Sequence, residues 1–488
     1  MIFPSRSEFK QLEATGNIIP VFKEYPMGEH SPVSVYEKLG GPKDNTFILE
    51  SGKGAEKISR YSFVGGNPFL TFKSYGTKVE LESKGRIESY EGNPLDILKD
   101  LFSKFDCVKS SQLPKFFGGG IGYFSYDVVR HIERLPDTAE DELNIPEIYL
   151  MFVDWVCIFD HLEGTIKLVV NAMDGNNYDE VSKRLNELED KIFNNSGHAP
   201  WSWECDGKAR DKGKLQANFT EEEFAQIVRK GKEYIAAGDI FQVNLSVRLS
   251  KELQVPAYQV YKKLREINPS PYSGFIKFKE FEIVSCSPEL LVKNKGELAE
   301  TRPIAGTRRR GKNREEDMEL IKELLGDKKE NAEHIMLVDL ERNDLGRVCK
   351  YGTVEVDELM VTEEYSHVIH IVSNVKGELA PEMNRFDVIK ATFPGGTITG
   401  APKVRCMEII EELEGVRRGI YTGSMGWLNF GEDMELNIAI RTILVKDKKA
   451  YIQAGAGVVA DSDPYREYHE SLKKAEAMVR AIEQAEEV

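Results

Sequence analysis

From Phe241 to Leu249 apolar and polar residues alternate without a fault. Such a run reads as a strand, because successive side chains of an extended chain point to opposite faces. Val243, Leu245, Val247 and Leu249 form its apolar face, and Gln242, Asn244, Ser246 and Arg248 lie on the other. The expectation is a half-buried strand in a sheet. Just upstream, Thr220 and Glu223 form a capping box. Phe224, Ile227, Val228 and Ile235 then follow at helical spacing until Gly238.

Strand patterns recur at 273–278, 281–286, 421–428, 434–445 and 450–454, and helix patterns near 314–340, 401–414 and 464–486. Strands and helices that do not alternate regularly point to an α+β fold with large, mainly antiparallel sheets. With 488 residues, two domains or one large composite are expected. Residues 1–190 read as mixed strands and turns, 191–214 as a polar, Gly-rich linker, and 215–488 as a second region. Gly118 to Tyr123 is a Gly-rich bend where backbones cross closely; no Lys-Ser/Thr follows, so it is not a phosphate loop. The apolar stretch Leu150–Phe159 contains Asp154 and is too short to span a bilayer.

The net charge of −16 argues against binding to nucleic acid or an anionic membrane. It also means that an anionic substrate must be neutralised locally. Six scattered cysteines with no C-x-x-C pair fit a reducing cytosol, and no signal peptide is evident, so the expected location is the cytoplasm.

Two carboxylate pairs stand out. Glu330 and Glu333 share one face of a helical segment, and Glu467 and Glu470 share a face of the last helix, which Asp463 caps and Pro464 opens. If the pairs converge they make an oxygen-rich site suited to Mg²⁺; otherwise they are solvated surface. Three further segments suit an anion: the glycines of Thr392–Lys403 leading into a helix, the basic run Arg308–Arg310, and Gly455-Ala456-Gly457 at a strand end. Arg441 lies on the non-apolar side of the strand around Ile438 and Ile440. Together these loops describe a pocket for a small polyanion.

Taken together, Pro303-Ile304-Ala305-Gly306-Thr307, Gly400-Ala401-Pro402-Lys403 and Gly455-Ala456-Gly457 resemble the chorismate-utilising enzymes, specifically the large subunits of anthranilate and aminodeoxychorismate synthases. The resemblance runs from Leu49-Glu50-Ser51 to the last helix. It implies two large sheets flanked by helices, with the active site in the cleft between them. It implies that Glu333 and Glu470 hold Mg²⁺, supported by Glu330 and Glu467, with Lys474 near the metal-bound carboxylate. Tyr421 and Arg441 match groups that grip the enolpyruvyl carboxylate of chorismate. Gly306, Thr307 and the backbone of Gly455, Ala456 and Gly457 match contacts on the ring-carboxylate side. Glu289 matches the general acid/base, His370 the histidine near the departing hydroxyl, and Thr397 lines the same cavity; His367 is given a structural role.

Water-adding members of the family carry a lysine base where this chain has Gln242. An amide cannot accept a proton at neutral pH, so Gln242 points to ammonia as the nucleophile. The resemblance then implies a separate glutaminase subunit, in a heterodimer or heterotetramer, since no Cys-His glutaminase portion is recognisable here. Ser51, Pro271, Tyr272 and Ser273 match positions of a tryptophan pocket in relatives, although anthranilate synthases usually have Met where Ser273 stands. Pro394-Gly395-Gly396-Thr397-Ile398-Thr399-Gly400 and Asp339-Leu340-Glu341-Arg342-Asn343-Asp344 resemble aminodeoxychorismate synthases more than anthranilate synthases, which usually have Gly or Ala at the position of Glu341. Ala305 departs from the lysine that some aminodeoxychorismate synthases use as a covalent nucleophile. The expected product is 4-amino-4-deoxychorismate, with anthranilate the alternative. A non-catalytic regulator would show substitutions among the metal glutamates, Arg441 or Glu289, and none is seen.

Overall fold

The computed structural model describes residues 1–51, 60–173, 175, 177–194, 201, 203, 213–365 and 368–487. Its strands assemble into two 12-stranded sheets. In the first, Gln242–Glu252 pairs antiparallel with Lys449–Val458, which pairs in turn with Thr442–Lys446 and, beyond it, Phe281–Ser287. In the second, Val368–Glu378 lies between Ile304–Arg309 and Leu298–Arg302, followed by Leu290–Lys295, Met434–Ile438 and Ser424–Asn429. Residues on both sides of 191–214 share both sheets. Tyr272–Lys277 pairs with Thr46–Glu50 in the first, and Ser424–Asn429 with Gly119–Phe124 in the second.

Three apolar clusters set the layers. Val243, Leu245 and Val247 of the first sheet pack under the helices Glu221–Ala237, Ala257–Ile267 and Pro464–Glu486 through Phe224, Tyr261 and Met478. Helices Pro94–Phe102, Lys328–Gly346 and Arg385–Thr392 cover the second sheet in the same way. Between the sheets, Phe47 and Ile158 of one meet Ile121 and Met151 of the other. The result is helices, sheet, sheet, helices.

The alternating strand is therefore not half-buried. Its polar face looks into the space between the sheets, where Gln242, Ser246 and Arg248 are all buried. Polar side chains survive there only with partners. Asn244 donates to Thr397 O at 3.0 Å, and Ser246 Oγ donates to Glu414 at 2.8 Å. One part of the inter-sheet space is apolar and closed; another is lined by polar groups.

Several expected elements divide, for physical reasons. The helix pattern at 314–340 is two helices, Arg314–Gly326 and Lys328–Gly346, because Asp327 ends one and accepts from Lys329 N and Glu330 N to cap the next. The strand expected over 434–445 is also two. Met434–Ile438 belongs to the second sheet and Thr442–Lys446 to the first, with Arg441 at φ 50° between them. Leu150–Phe159 likewise spans Ile148–Val153 of one sheet and Trp155–Asp160 of the other. The expected bend at Gly118–Tyr123 is the strand Gly119–Phe124, set so close to its neighbour that a Cβ on Gly122 would lie 1.9 Å from Tyr149 O. Among the described residues no helix is long and apolar enough to cross a membrane.

Candidate active site

Two of the crossings between sheets run side by side. Phe281–Ser287 leaves the first sheet and Leu290–Lys295 enters the second, while Met434–Ile438 and Thr442–Lys446 make the reverse passage. Ser287 Oγ donates to Ile438 O at 2.5 Å, Ile438 N donates to Glu289 O at 3.0 Å, and Cys286 N donates to Arg441 O at 3.1 Å. This lacing places Glu289 and Arg441 together, and it corrects the placement of Arg441 within a strand: Arg441 is the residue that turns the chain from one sheet to the other. A left-handed backbone is uncommon for any residue other than glycine, and such outliers gather at functional sites. Among the described residues the Arg441 guanidinium joins no ion pair. Burial holds it below its usual value, offset by Cys286, Glu289 and Tyr365. A desolvated guanidinium without a contacting carboxylate is a ready receptor for one.

Glu289 is 5% exposed, and burial pushes its carboxyl up to about 7, against the opposing pull of Thr397, the Ile304 N–H and Arg441. Ile304 N donates to Glu289 Oε1 at 3.5 Å. The Thr397 hydroxyl lies close by but is buried without a hydrogen bond of ordinary geometry. His370 is also buried, with Nδ1 at 2.8 Å from Thr307 Oγ1 and 3.4 Å from Gly306 O, and its Nε2 has no partner among the described residues. Burial, then Arg441, lowers the imidazole to about 4. It is therefore neutral near pH 7, able to hydrogen-bond but a poor source of a proton. Glu289, half-protonated near neutrality, is the better acid.

Across the cleft, Gly455 and Gly457 pair with Ser246 and Asn244. A Cβ on Gly457 would sit 2.5 Å from Gln242 Nε2, and one on Gly455 would sit 3.0 Å from the Tyr421 hydroxyl. These positions must lack a side chain for Gln242 and Tyr421 to stand where they do. Ala456 is opposite Leu245 and so turns its methyl to the helix layer, leaving only its backbone on this side. Tyr421 itself lies in a turn ahead of Ser424–Asn429.

Gln242 Nε2 donates to Glu333 at 3.0 Å, which joins the first sheet to the helix Lys328–Gly346. Glu330 accepts from Arg308 at 3.2 Å, and Glu470 pairs with Lys474 at 2.9 Å. Lys474 also donates to Gly455 O at 3.1 Å. The Glu467 carboxyl is raised by burial and further by the Glu470 charge, while Lys474 and Lys329 oppose this. Lys329 stands at the start of the other glutamate helix, so the charge of that helix end reaches Glu467. Among the described residues no three acidic, His or Cys groups form a ready-made cation cage. The oxygen donors fit a hard divalent ion in chemistry, and two lysines partly neutralise them.

The basic run Arg308–Arg310, read from sequence as either an anion site or a solvated face, is spent on ion pairs within the protein. Arg308 pairs with Glu323, Asp327 and Glu330, Arg309 with Glu316, and Arg310 with Asp317 and Glu364. Lys403 is likewise held by Asp344. Ser51, Pro271, Tyr272 and Ser273 do come together, around a small cavity of about 40 Å³ that Trp427 and Met425 also line. His367 lies outside the described residues. The sequence reading missed Arg418, fully buried and paired with Glu414 at 2.7 Å. Arg418 donates to Ile398 O at 3.0 Å and to Asn244 O at 2.8 Å, which ties the Thr397 turn to the alternating strand. No motif announces it, because Gly415 ends the helix between the two partners.

Residues 44–480 match the family described as chorismate binding enzyme. Anthranilate synthase component 1 of Acetivibrio thermocellus is 45% identical over 497 residues, covering 100% of both chains. Aminodeoxychorismate synthase component 1 of Bacillus subtilis (strain 168) is 47% identical over 468 residues, covering 96% of this chain and 98% of the relative. Among solved structures, anthranilate synthase component I from Streptococcus pneumoniae TIGR4 superposes with a TM-score of 0.78 at 35% identity, covering 93% of this chain and 98% of that one. Relatives of both names stand at similar distance, and the shared architecture is the one described above. With a match spanning nearly its whole length, this chain belongs to the chorismate binding enzymes.

Proposed function

We propose that this chain is the aminating subunit of an aminodeoxychorismate synthase. It takes chorismate and ammonia, the latter from a separate glutaminase, and forms 4-amino-4-deoxychorismate for p-aminobenzoate and folate. The observation that carries amination is Gln242: at the mouth of the glutamate helices the chain places an amide hydrogen-bonded to Glu333, where addition of water would need a base. The choice of product leans on the Pro394–Gly400 and Asp339–Asp344 segments, which resemble aminodeoxychorismate synthases.

Chorismate carries two carboxylates. Arg441 offers a desolvated fork to the enolpyruvyl carboxylate, with the Tyr421 hydroxyl beside it. Gly306, Thr307 and the Gly455–Gly457 backbone receive the ring side. Mg²⁺, held by Glu333 and Glu470 with Glu330 and Glu467 alongside, would neutralise the remaining carboxylate and orient the ring as a Lewis acid. Hydroxide is a poor leaving group, so Glu289 gives its proton to the departing oxygen, which leaves as water, while neutral His370 holds that oxygen. Ammonia enters at the allylic carbon and needs no base to become nucleophilic. Ala305 has no amine, so no covalent lysine adduct forms and the attack is direct.

The test is what the chain makes from chorismate with ammonium and without it. A nitrogen-containing product that forms only with ammonium is expected; steady hydroxylated product without ammonium would overturn the reading. A Gln242→Lys variant is expected to gain some water addition, giving an isochorismate-like product when ammonium is withheld. If chorismate still binds and no such product appears on chromatography, Gln242 does not face the nucleophile.

A further inference from the structure

Arg418 has no task in the mechanism above, yet its side chain and that of Glu414 are each only 2% exposed. Its Nε and Nη2 donate to Glu414 at 2.9 and 2.7 Å. Nη1 donates to Ile398 O at 3.0 Å and to Thr422 Oγ1 at 3.2 Å, and Nη2 also donates to Asn244 O at 2.8 Å. These bonds use all five N–H groups of a guanidinium, so none is left for a ligand. Glu414 accepts in addition from Ser246 N at 2.9 Å and Ser246 Oγ at 2.8 Å. What the guanidinium holds is the turn that carries Tyr421. Tyr421 N donates to Arg418 O at 3.2 Å, and Gly423 N donates to Ile420 O at 3.0 Å. Thr422 has φ 60°. A β-branched residue in that region is an outlier that persists only where its surroundings over-determine it. Here Thr422 N donates to Ala439 O at 3.0 Å, and Thr422 Oγ1 accepts from Arg418 and donates to Tyr421 O at 2.6 Å. The guanidinium also lies over the Tyr421 ring, 5.4 Å from its centroid. Burial raises the Tyr421 phenol, so its hydroxyl keeps a proton to donate.

We propose that Arg418 is a positioning residue that acts through Tyr421, holding the phenol in advance in the orientation that meets the enolpyruvyl carboxylate of chorismate. One side chain fixes the backbone around Tyr421, packs on its ring, and joins both to the Thr397 turn and the alternating strand. A phenol free to swing would have to be ordered when substrate binds, which weakens binding; a phenol ordered beforehand avoids that loss. Lysine could not take the same part. Its ammonium presents three donors from one point, without the planar fork that reaches Glu414, Ile398, Thr422 and Asn244 together or the flat face that lies on a ring. The inference rests on the reading of Tyr421 as a carboxylate contact.

The experiment is steady-state kinetics with chorismate varied at saturating Mg²⁺ and ammonium, on Arg418→Lys, Tyr421→Phe and the double variant. Tyr421→Phe is expected to raise KM for chorismate by roughly 10-fold or more, the worth of a hydrogen bond to a charged group. Arg418→Lys is expected to raise KM by a similar factor, with the loss falling on KM more than on kcat. In the double variant the two effects should overlap, KM standing no more than about 2-fold above that of Tyr421→Phe alone. Thr422→Val leaves the buried ion pair in place and removes one acceptor of the guanidinium, so it tests the same link even if Arg418→Lys does not fold. It is expected to raise KM by about 3- to 10-fold, the span of one net hydrogen bond, and to lose that effect when Tyr421 is Phe. Unchanged KM in the Arg418 and Thr422 variants, or penalties that multiply in full with that of Tyr421→Phe, would overturn the proposal and leave Arg418 a purely structural role. Unchanged KM in Tyr421→Phe itself would instead overturn the assignment of the carboxylate contact, which separates the two failures.

Discussion

Glu289→Gln is expected to lower turnover of chorismate by roughly 10² to 10⁴-fold, the usual worth of a positioned general acid. Gln preserves the shape of the side chain and its contact with the Ile304 N–H but has no proton to give. Chorismate affinity should change little, because the assigned carboxylate contacts come from Arg441, Tyr421 and backbone groups. The loss should therefore fall on kcat. It should also flatten the alkaline limb of the rate profile, since wild-type activity is expected to decline as pH rises through a carboxyl that burial pushes up to about 7. A variant with wild-type kcat, or one whose loss is entirely in KM, would remove Glu289 from the chemistry.

Glu333→Ala and Glu470→Ala should each abolish most turnover while leaving the fold intact. Stabilisation of developing charge by a bound cation is worth several kcal/mol, so losing one oxygen ligand should cost about 10²-fold or more. Stability should fall by about 1–3 kcal/mol in Glu333→Ala, which leaves the buried Gln242 amide without its partner, and by no more than about 0.5 kcal/mol in Glu470→Ala. Glu470 is half-exposed and paired with Lys474, and Glu333 is joined to Gln242. Calorimetric titration with Mg²⁺ should show weakened binding in both. Near-normal turnover of either variant in EDTA-treated buffer would refute the metal assignment.

Much of the fold was legible in the sequence because it depends on local physics. The Thr220–Glu223 capping box starts a helix that runs to Gly238 in a left-handed cap, and Asp463 with Pro464 opens the last helix as expected. Alternation over 241–249 identified the strand and its two faces. It could not show that the polar face meets a second sheet instead of water, because alternation looks the same in both settings. The crossing at Arg441 was hidden for a similar reason: nothing in Ile438–Thr442 announces a positive φ, and the residues on either side fit one continuous strand. The glutamate pairs were legible as helix faces, but their approach depends on how two distant helices pack. Arg308–Arg310 stood out by composition and was misleading, since the acids that neutralise these residues lie up to 54 positions away in the chain.

The most direct test of the whole account is the identity of the product. The chain is incubated with chorismate, Mg²⁺ and ammonium at mildly alkaline pH, with and without an added aminodeoxychorismate lyase. The expected result is no fluorescent anthranilate in either sample, and p-aminobenzoate only when the lyase is present. Fluorescent anthranilate forming without the lyase, and no p-aminobenzoate with it, would contradict the account and assign the chain to anthranilate formation.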